Sequence, residues 1–300
     1  MAPAVEVIIN ASSGTLSKED SHEQIVELFG ASGVDARISL AKSMNELIEF
    51  ARRAAASDAA TVVGGGGDGT INAVASALLG TDKTLGVLPL GTLNHFAKDL
   101  KIPLDVEKAV ETIIEGHAVH VDVGEVNGRI FLNNSSLGLY PSIVHQREQK
   151  QKLGQGKWPA FVWATFGVMR RYPFLDVRLS ADGKEFSSRT PFVFIGNNEY
   201  AMESFDIGGR SRLDAGRLSL YFSHRTGRLG LLGLGVRALL RRLHQSEDFV
   251  RLTTTEVLIE TKRNRVRVST DGEVNMIRPP LRYRTLPGAL RVIVPNSDNI

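Results

Sequence analysis

Up to about residue 124, short apolar runs alternate with stretches of helical period. VEVIIN (5–10) and ARISL (36–40) predict strands. Ser21–Phe29 and Met44–Ala56 predict helices, the second with Met44, Leu47, Ile48 and Ala51 on one face. TVV (61–63) predicts a third strand, followed by a glycine loop and a helix over INAVASALL with Gly80 as its C-cap. TLGVLPL (84–90) is a fourth strand and LNHFAKDL (93–100) a helix stopped before Pro103. Asp105 caps a further helix, VEKAVETIIE, with Gly116 beyond its end. Alternation at these lengths predicts a largely parallel, doubly wound sheet.

Beyond Gly124 the period shortens. VHVDVGEV and RIFLNNSS flank Asn127-Gly128, and DVRLS and KEFSS flank Asp182-Gly183, both strong hairpin-turn dipeptides. RLSLYFS, DFVRLTTTEVLIET, RVRVSTDGEV and ALRVIVP supply further strands, and helical stretches lie at about 142–171 and 228–245. The fold expected is therefore an α/β domain over 1–124, then an antiparallel, β-rich, sandwich-like domain over 125–300 with helical insertions. The last residues can return to the first domain. No internal repeat or low-complexity linker is visible.

Composition narrows the chemistry. The 300 residues are 42% hydrophobic and 23% charged, close to globular averages. The absence of cysteine excludes disulfides, thiol catalysis and thiolate metal sites, and fits a reducing cytosol. The start, MAPAVEVIIN, lacks the basic and apolar regions of a signal peptide, and LGLLGLGVRALL (229–240) is too short to span a bilayer and is broken by Arg237. A soluble, cytoplasmic protein is expected. The net charge of +3 suits nucleic acid, an anionic membrane or a phosphorylated ligand, but charge alone favours a solvated surface with no charged partner. The seven histidines show no metal-ligand spacing, Gly-x-Ser-x-Gly is absent, and no nucleic-acid motif stands out, so no nucleic-acid partner is expected.

The sharpest local signal is VVGGGGDGTINAVASALLG (62–80). Four consecutive glycines carry an entropic cost, and glycine is needed where the backbone takes positive φ or comes very close to oxygens. The strand–glycine–helix order puts bare N–H groups at a helix N-terminus, where an anion is favoured. Gly64, Gly66 and Gly69 match the dinucleotide fingerprint, but positions 85–90 lack the acidic residue it wants about twenty positions on. A Walker A loop needs a lysine that Gly69-Thr70-Ile71 lacks. A carboxylate inside a phosphate loop, Asp68, fits a divalent cation or a proton-transfer role. A tight turn with Asp68 as a helix cap is the plain alternative. Leu90-Gly91-Thr92-Leu93-Asn94 and Asn10-Ala11-Ser12-Ser13-Gly14 also follow strands, so three loops should share one sheet edge.

Together NASSG (10–14), GGGGDGTINAVASALLG (64–80), LPLGTLNHFAKDL (88–100), DVG (122–124) and STDGE (269–273) resemble the diacylglycerol kinase catalytic family, which is related to sphingosine and ceramide kinases. The match runs in order over nearly the whole chain. It implies transfer of the γ-phosphoryl group of ATP to a lipid hydroxyl, with Mg²⁺, in a cleft between an α/β nucleotide domain and a β-rich domain. The resemblance places ATP around Asn10, Ser13, Gly14, Ser39, Gly65, Gly66, Gly67, Asp68, Gly69, Thr70, Asn72, Gly91, Thr92 and Asn94. Asp68 and Asp122 would hold Mg²⁺, directly or through water, and Asp214 stands where some relatives have a second metal. Asp271 is the implied general base, with Glu273 orienting or replacing it and Asp68 as the other candidate. A plain Asp-Gly turn is the alternative for Asp271.

Two departures stand out. His95 occupies the place of an Asp in many relatives, and Leu213-Asp214-Ala215-Gly216 has alanine before the glycine where some relatives carry a metal site. Residues 145–173 and 228–244 combine basic with aromatic or leucine residues, which fits peripheral contact with the inner membrane face; a core or an acyl-chain groove would use them as well. A homodimer is compatible. A kinase of a non-lipid hydroxyl, or a nucleotide- and lipid-binding regulator without turnover, are the other readings, and His95 favours the regulator.

Overall fold

The structure, a computed structural model, describes residues 5–11, 18–138, 174–203, 206–223 and 249–296. The helical stretches expected at 142–171 and 228–245, and both membrane-contact candidates, lie outside the described residues. Among the described residues no helix is long and apolar enough to cross a membrane. Contacts divide the chain into two units. The first holds the chain up to Val123, Ser211–Gly216 and the chain from Leu286 on; the second holds Gly124–Arg210 and Arg217–Thr285.

The first unit runs β1 (Val5–Asn10), α1 (Lys18–Ala31), β2 (Ala36–Ala41), α2 (Met44–Ala55), β3 (Thr61–Gly66), α3 (Asp68–Leu78), β4 (Thr84–Pro89), α4 (His95–Asp99) and α5 (Val106–Glu115). Its sheet is parallel, in the order β2-β1-β3-β4. The chain steps one way from β1 to β2 and the other way from β2 to β3 and β4. Right-handed crossovers then put α1 on one face and α2 and α3 on the other. The packing agrees, with α2 against α3 and α1 against α5. Covered on both faces, the strands are nearly continuously apolar: Val7, Ile8, Val62, Val63, Leu85 and Leu88 are all buried. Ser43 and Asp105 cap α2 and α5 by accepting the N–H of Glu46 and of Lys108.

One element is longer than expected. The third strand does not stop at Val63 but continues through Gly64, Gly65 and Gly66, paired with β1 on one side and β4 on the other. Without side chains these glycines carry no strand pattern; neighbours on both sides hold them in the ladder. The helix accordingly starts at Asp68 rather than Ile71, with Gly67 as its N-cap.

The second unit takes in the end of β5 (His117–Val126), then β6 (Arg129–Phe131), β7 (Asn134–Gly138), β8 (Leu175–Ala181), β9 (Lys184–Thr190), β10 (Phe192–Asn197), β11 (Tyr200–Glu203), β12 (Asp206–Arg210), β13 (Leu218–Ser223), β14 (Phe249–Thr254), β15 (Glu256–Thr261), β16 (Val266–Thr270) and β17 (Glu273–Ile277), and the start of β18 (Leu281–Val294). One antiparallel sheet has the order β14-β13-β10-β7-β16-β17; in the other, β15 lies between β18 and β8, with β9 outside β8. The strict alternation of buried and exposed residues along β8 sends Leu175, Val177, Leu179 and Ala181 into a core shared with Val193, Ile195, Leu220, Phe222, Val268 and Tyr283. Phe131 meets Tyr283 edge to face, centroids 6.1 Å apart. Asn127-Gly128 and Asp182-Gly183 make two-residue hairpins with positive φ at both positions, and Asp271-Gly272 makes a third.

Candidate active site

In the first unit β1, β3 and β4 end side by side, which brings Asn10, Gly66 and the 90–94 loop to one sheet edge. Asn10 Nδ2 donates to Thr70 Oγ1 at 3.1 Å. The glycine run answers to closeness and not to unusual dihedrals. None of Gly64 to Gly67 has positive φ; Gly67 sits at φ −86°, ψ −177°. A Cβ on Gly64 would lie 3.1 Å from Ile71 Cδ1, and one on Gly66 only 2.4 Å from Thr70 Oγ1. So α3 rests directly on β3. A Cβ on Gly91 would lie 2.3 Å from Gly67 Cα, so the two loops meet backbone to backbone. Gly65 is buried in the ladder, while Gly69 and Thr70 belong to the first turn of α3. Thr92 is exposed, Asn72 lies beside Ser76 on α3, and Ser39 sits part-buried on β2 opposite Ile8. Ser13 and Gly14 lie outside the described residues.

Asp68 joins the two loops. Its Oδ2 accepts from the His95 N–H at 3.2 Å and its Oδ1 from the Phe96 N–H at 3.1 Å, capping the short helix α4. Asn94 works from inside the second loop. It is left-handed (φ 51°, ψ 47°) and 6% exposed. Its Nδ2 donates to the Pro89 and Gly91 carbonyls at 2.9 Å each, and its Oδ1 accepts from the Gly91 N–H at 3.1 Å. The amide of Asn94 thus shapes the loop. His95 contributes its main-chain N–H to the Asp68 cap, a group any residue but proline supplies, so the cap survives the departure from Asp at this position.

Asp122 is 2% exposed, and its oxygens accept from the Gly216 N–H at 2.6 Å and the Gly288 N–H at 2.8 Å, while its own N–H donates to Leu213 O. That bonding ties residues 211–216 and 286–288 to the first unit. A carboxylate held so joins chain segments. Asp214 is exposed and forms a two-pronged pair with Arg212 at 3.0 and 3.2 Å. The hydrogen bond from that guanidinium holds its carboxyl below the ordinary aspartate value.

In the second unit Asp271 opens the β16–β17 turn in a left-handed conformation. Its carboxylate reaches back across the sheet and accepts the N–H groups of Leu132 (2.7 Å), Asn133 (2.9 Å) and Asn134 (3.0 Å). Glu273, the first residue of β17, is exposed. The plain turn and the functional carboxylate, alternatives at the level of sequence, thus coexist: Asp-Gly is the turn, and its side chain fixes the β6–β7 connection.

The residues that shape this corner were not singled out from the sequence. Arg210, 5% exposed, donates to Leu132 O at 2.6 Å, Asn197 O at 3.0 Å and Asn133 Oδ1 at 2.8 Å, with its guanidinium 5.4 Å from the Tyr200 ring centre. Asn197 Nδ2 donates to the same Leu132 carbonyl. The one visible hint is a paired asparagine ending each of two apolar runs, FLNN and FIGNN. Such amides must be satisfied when the runs are buried.

Comparison with known proteins follows this division. The diacylglycerol kinase catalytic domain profile matches residues 4–126, and the YegS C-terminal NAD kinase beta sandwich-like domain profile matches residues 139–294. A diacylglycerol kinase of Staphylococcus carnosus is 30% identical over 224 residues, 73% of this chain and 72% of that protein. One from Staphylococcus aureus is 26% identical over 301 residues, 99% of this chain and 94% of the relative. A solved diacylglycerol kinase structure from Bacillus anthracis superposes with a TM-score of 0.73 at 21% identity, covering 99% and 98% of the two chains, and shares the fold. With both halves matched in order by the two profiles and the sheet-edge loops assembled as described, the chain belongs to the diacylglycerol kinase catalytic-domain family and is an enzyme, a kinase of the lipid-kinase class.

Proposed function

We propose that this enzyme uses ATP and Mg²⁺ to phosphorylate the hydroxyl of diacylglycerol or a close lipid relative. The observation that carries this reading is the join of the two glycine loops, Gly67 against Gly91, with Asp68 fixing the second loop to the first. It leaves the start of α3 lined by glycine and threonine, with first-turn N–H groups that have no intrahelical acceptor, a fit for phosphate oxygens. Among the described residues no three His, Cys, Asp or Glu side chains come together around one point. A cation here would be held by Asp68 with phosphate and water oxygens, an arrangement Mg²⁺ commonly accepts. Bound there, Mg²⁺ would offset charge on the transferring phosphoryl group.

Within the second unit we assign the general base to Glu273 in preference to Asp271. A carboxylate accepts at about four lone-pair positions, and three amides already occupy those of Asp271. Glu273 is exposed on the strand that Asp271 anchors, so Asp271 acts as its positioning residue. The names of the two staphylococcal relatives support diacylglycerol as the acceptor. The test is transfer of labelled γ-phosphate from ATP, with Mg²⁺, to diacylglycerol, ceramide, sphingosine and phosphatidylglycerol in mixed micelles. Label in diacylglycerol is expected; no label in any of the four lipids, with ATP still bound, would overturn the reading.

A further inference from the structure

The hairpin β16–β17 carries an unusual outer face. The two most exposed large apolar side chains among the described residues, Met276 at 57% and Val274 at 51%, stand two positions apart on β17. That spacing puts them on the same side of the strand. Across the ladder their partners are Arg267 and Ser269, while the alternate positions Val266, Val268 and Ile277 are buried. The hairpin's inner face is therefore core, and its outer face is an aliphatic pair beside an arginine. β17 is the last strand of its sheet among the described residues, so nothing pairs with its outer edge.

Charge gathers at the open end of the same hairpin. Lys262, Arg263 and Arg265, which lead into β16, and Arg278, which follows β17, line one open recess with Glu260. All four cations are exposed, as is Arg267, and none of the five has an ion-pair partner among the described residues. Acidic groups on this stretch are Glu260 and, at the turn, Asp271, whose carboxylate is taken up by three main-chain amides, and Glu273. Five uncompensated cations around two protruding aliphatic side chains match a surface that is apolar within and anionic at its rim.

We infer that the outer face of the β16–β17 hairpin is a membrane-docking surface. Val274 and Met276 enter the acyl boundary, and Lys262, Arg263, Arg265, Arg267 and Arg278 take the headgroups of anionic lipids. A second copy of the chain fits less well, because a symmetric pairing of β17 edges would bring each hairpin's arginines toward their own kind. Nucleic acid would find cations here but no aromatic platform, and the aliphatic pair would be left without a role. This docking deepens the function proposed above, since it rests on Glu273, at the start of β17, being the base: the docked strand would hold that carboxylate at headgroup depth, where a lipid hydroxyl lies.

The chain has no cysteine, so M276C carries a single label on the full protein. With an environment-sensitive dye at that site, vesicles of phosphatidylcholine containing phosphatidylglycerol should shift its emission to the blue, and nitroxide on the lipid chains should quench it. Pure phosphatidylcholine should do neither. In sedimentation with the anionic vesicles, V274S/M276S should weaken binding about tenfold and R265Q/R267Q/R278Q about a hundredfold, at roughly one charge's worth of surface attraction per arginine. High salt should release the wild-type protein. Unchanged binding by both variants, or a label left unquenched while the protein pellets, overturns the proposal by placing membrane contact elsewhere. A blue shift that grows with protein concentration in the absence of vesicles overturns it in favour of a second copy. Vesicle binding is read without turnover, so docking with no lipid phosphorylated would sink the reaction proposed above and leave the docking standing.

Discussion

Asp68 and Asp271 are the two carboxylates that most resemble catalytic groups in the sequence, and both turn out to grip main-chain amides far along the chain. They differ in how tightly. Asp68 accepts two amides at 3.1 and 3.2 Å, both from the start of one short helix. Asp271 accepts three, at 2.7 to 3.0 Å, from a connection between strands. The looser holder is itself the first residue of α3. The tighter one pins a strand connection and stands two residues before the exposed Glu273, the base proposed above. An acidic residue in a functional motif can thus belong to the site's scaffold.

Several substitutions would break or sharpen that contrast. Glu273→Gln should lower lipid phosphorylation by about 10²- to 10⁴-fold, the span usual for a general base, with melting temperature and ATP affinity unchanged. Asp271→Asn should act through the fold, lowering stability by on the order of 2–3 kcal/mol in denaturant titration, because it weakens charge-assisted bonds to three amides. In the first unit, Gly91→Ala drives a methyl into the Gly67 backbone and should cost about 1–3 kcal/mol as overpacking, together with at least tenfold in ATP affinity by calorimetry.

Smaller effects follow. Tyr283 is fully buried, and burial pushes its phenol above the usual tyrosine value, opposed by its hydrogen bond with Ser135. A folded-state value raised above the unfolded one means stability is whole below the unfolded value, about 10, and falls as pH climbs beyond it. Tyr283→Phe should flatten that alkaline decline, as melting temperatures from pH 8 to 11 would reveal. Asp214→Asn, which removes an exposed ion pair, should leave the melting temperature where it was.

Much of this fold is legible in the sequence, and the exceptions share a cause. Strands and helices with patterned side chains, and the Asn-Gly and Asp-Gly hairpins, are decided locally, by burial period and by the need for positive φ. The strand through Gly64–Gly66 is not, because glycine carries no pattern and its state comes from β1 and β4. Nor is the assignment of Ser211–Gly216 to the first unit, which depends on Asp122 some 94 residues away from Gly216. The site loops and the DGE hairpin are visible as motifs. Which oxygen meets which amide is not, since the Asp68 and Asp271 caps span 27 to 139 residues. Arg210 reads as one more surface cation in IGGRSRLD until the fold buries it against Asn133 and Asn197.

The most direct measurement is labelled phosphate transfer from ATP to diacylglycerol micelles by wild type, Glu273→Gln and Asp271→Asn, with each protein's melting temperature beside its rate. Loss of turnover in Glu273→Gln at an unchanged melting temperature, with Asp271→Asn retaining turnover under conditions where it stays folded, is the result predicted. An active Glu273→Gln enzyme, paired with a folded but inactive Asp271→Asn, would contradict it and return the base to Asp271.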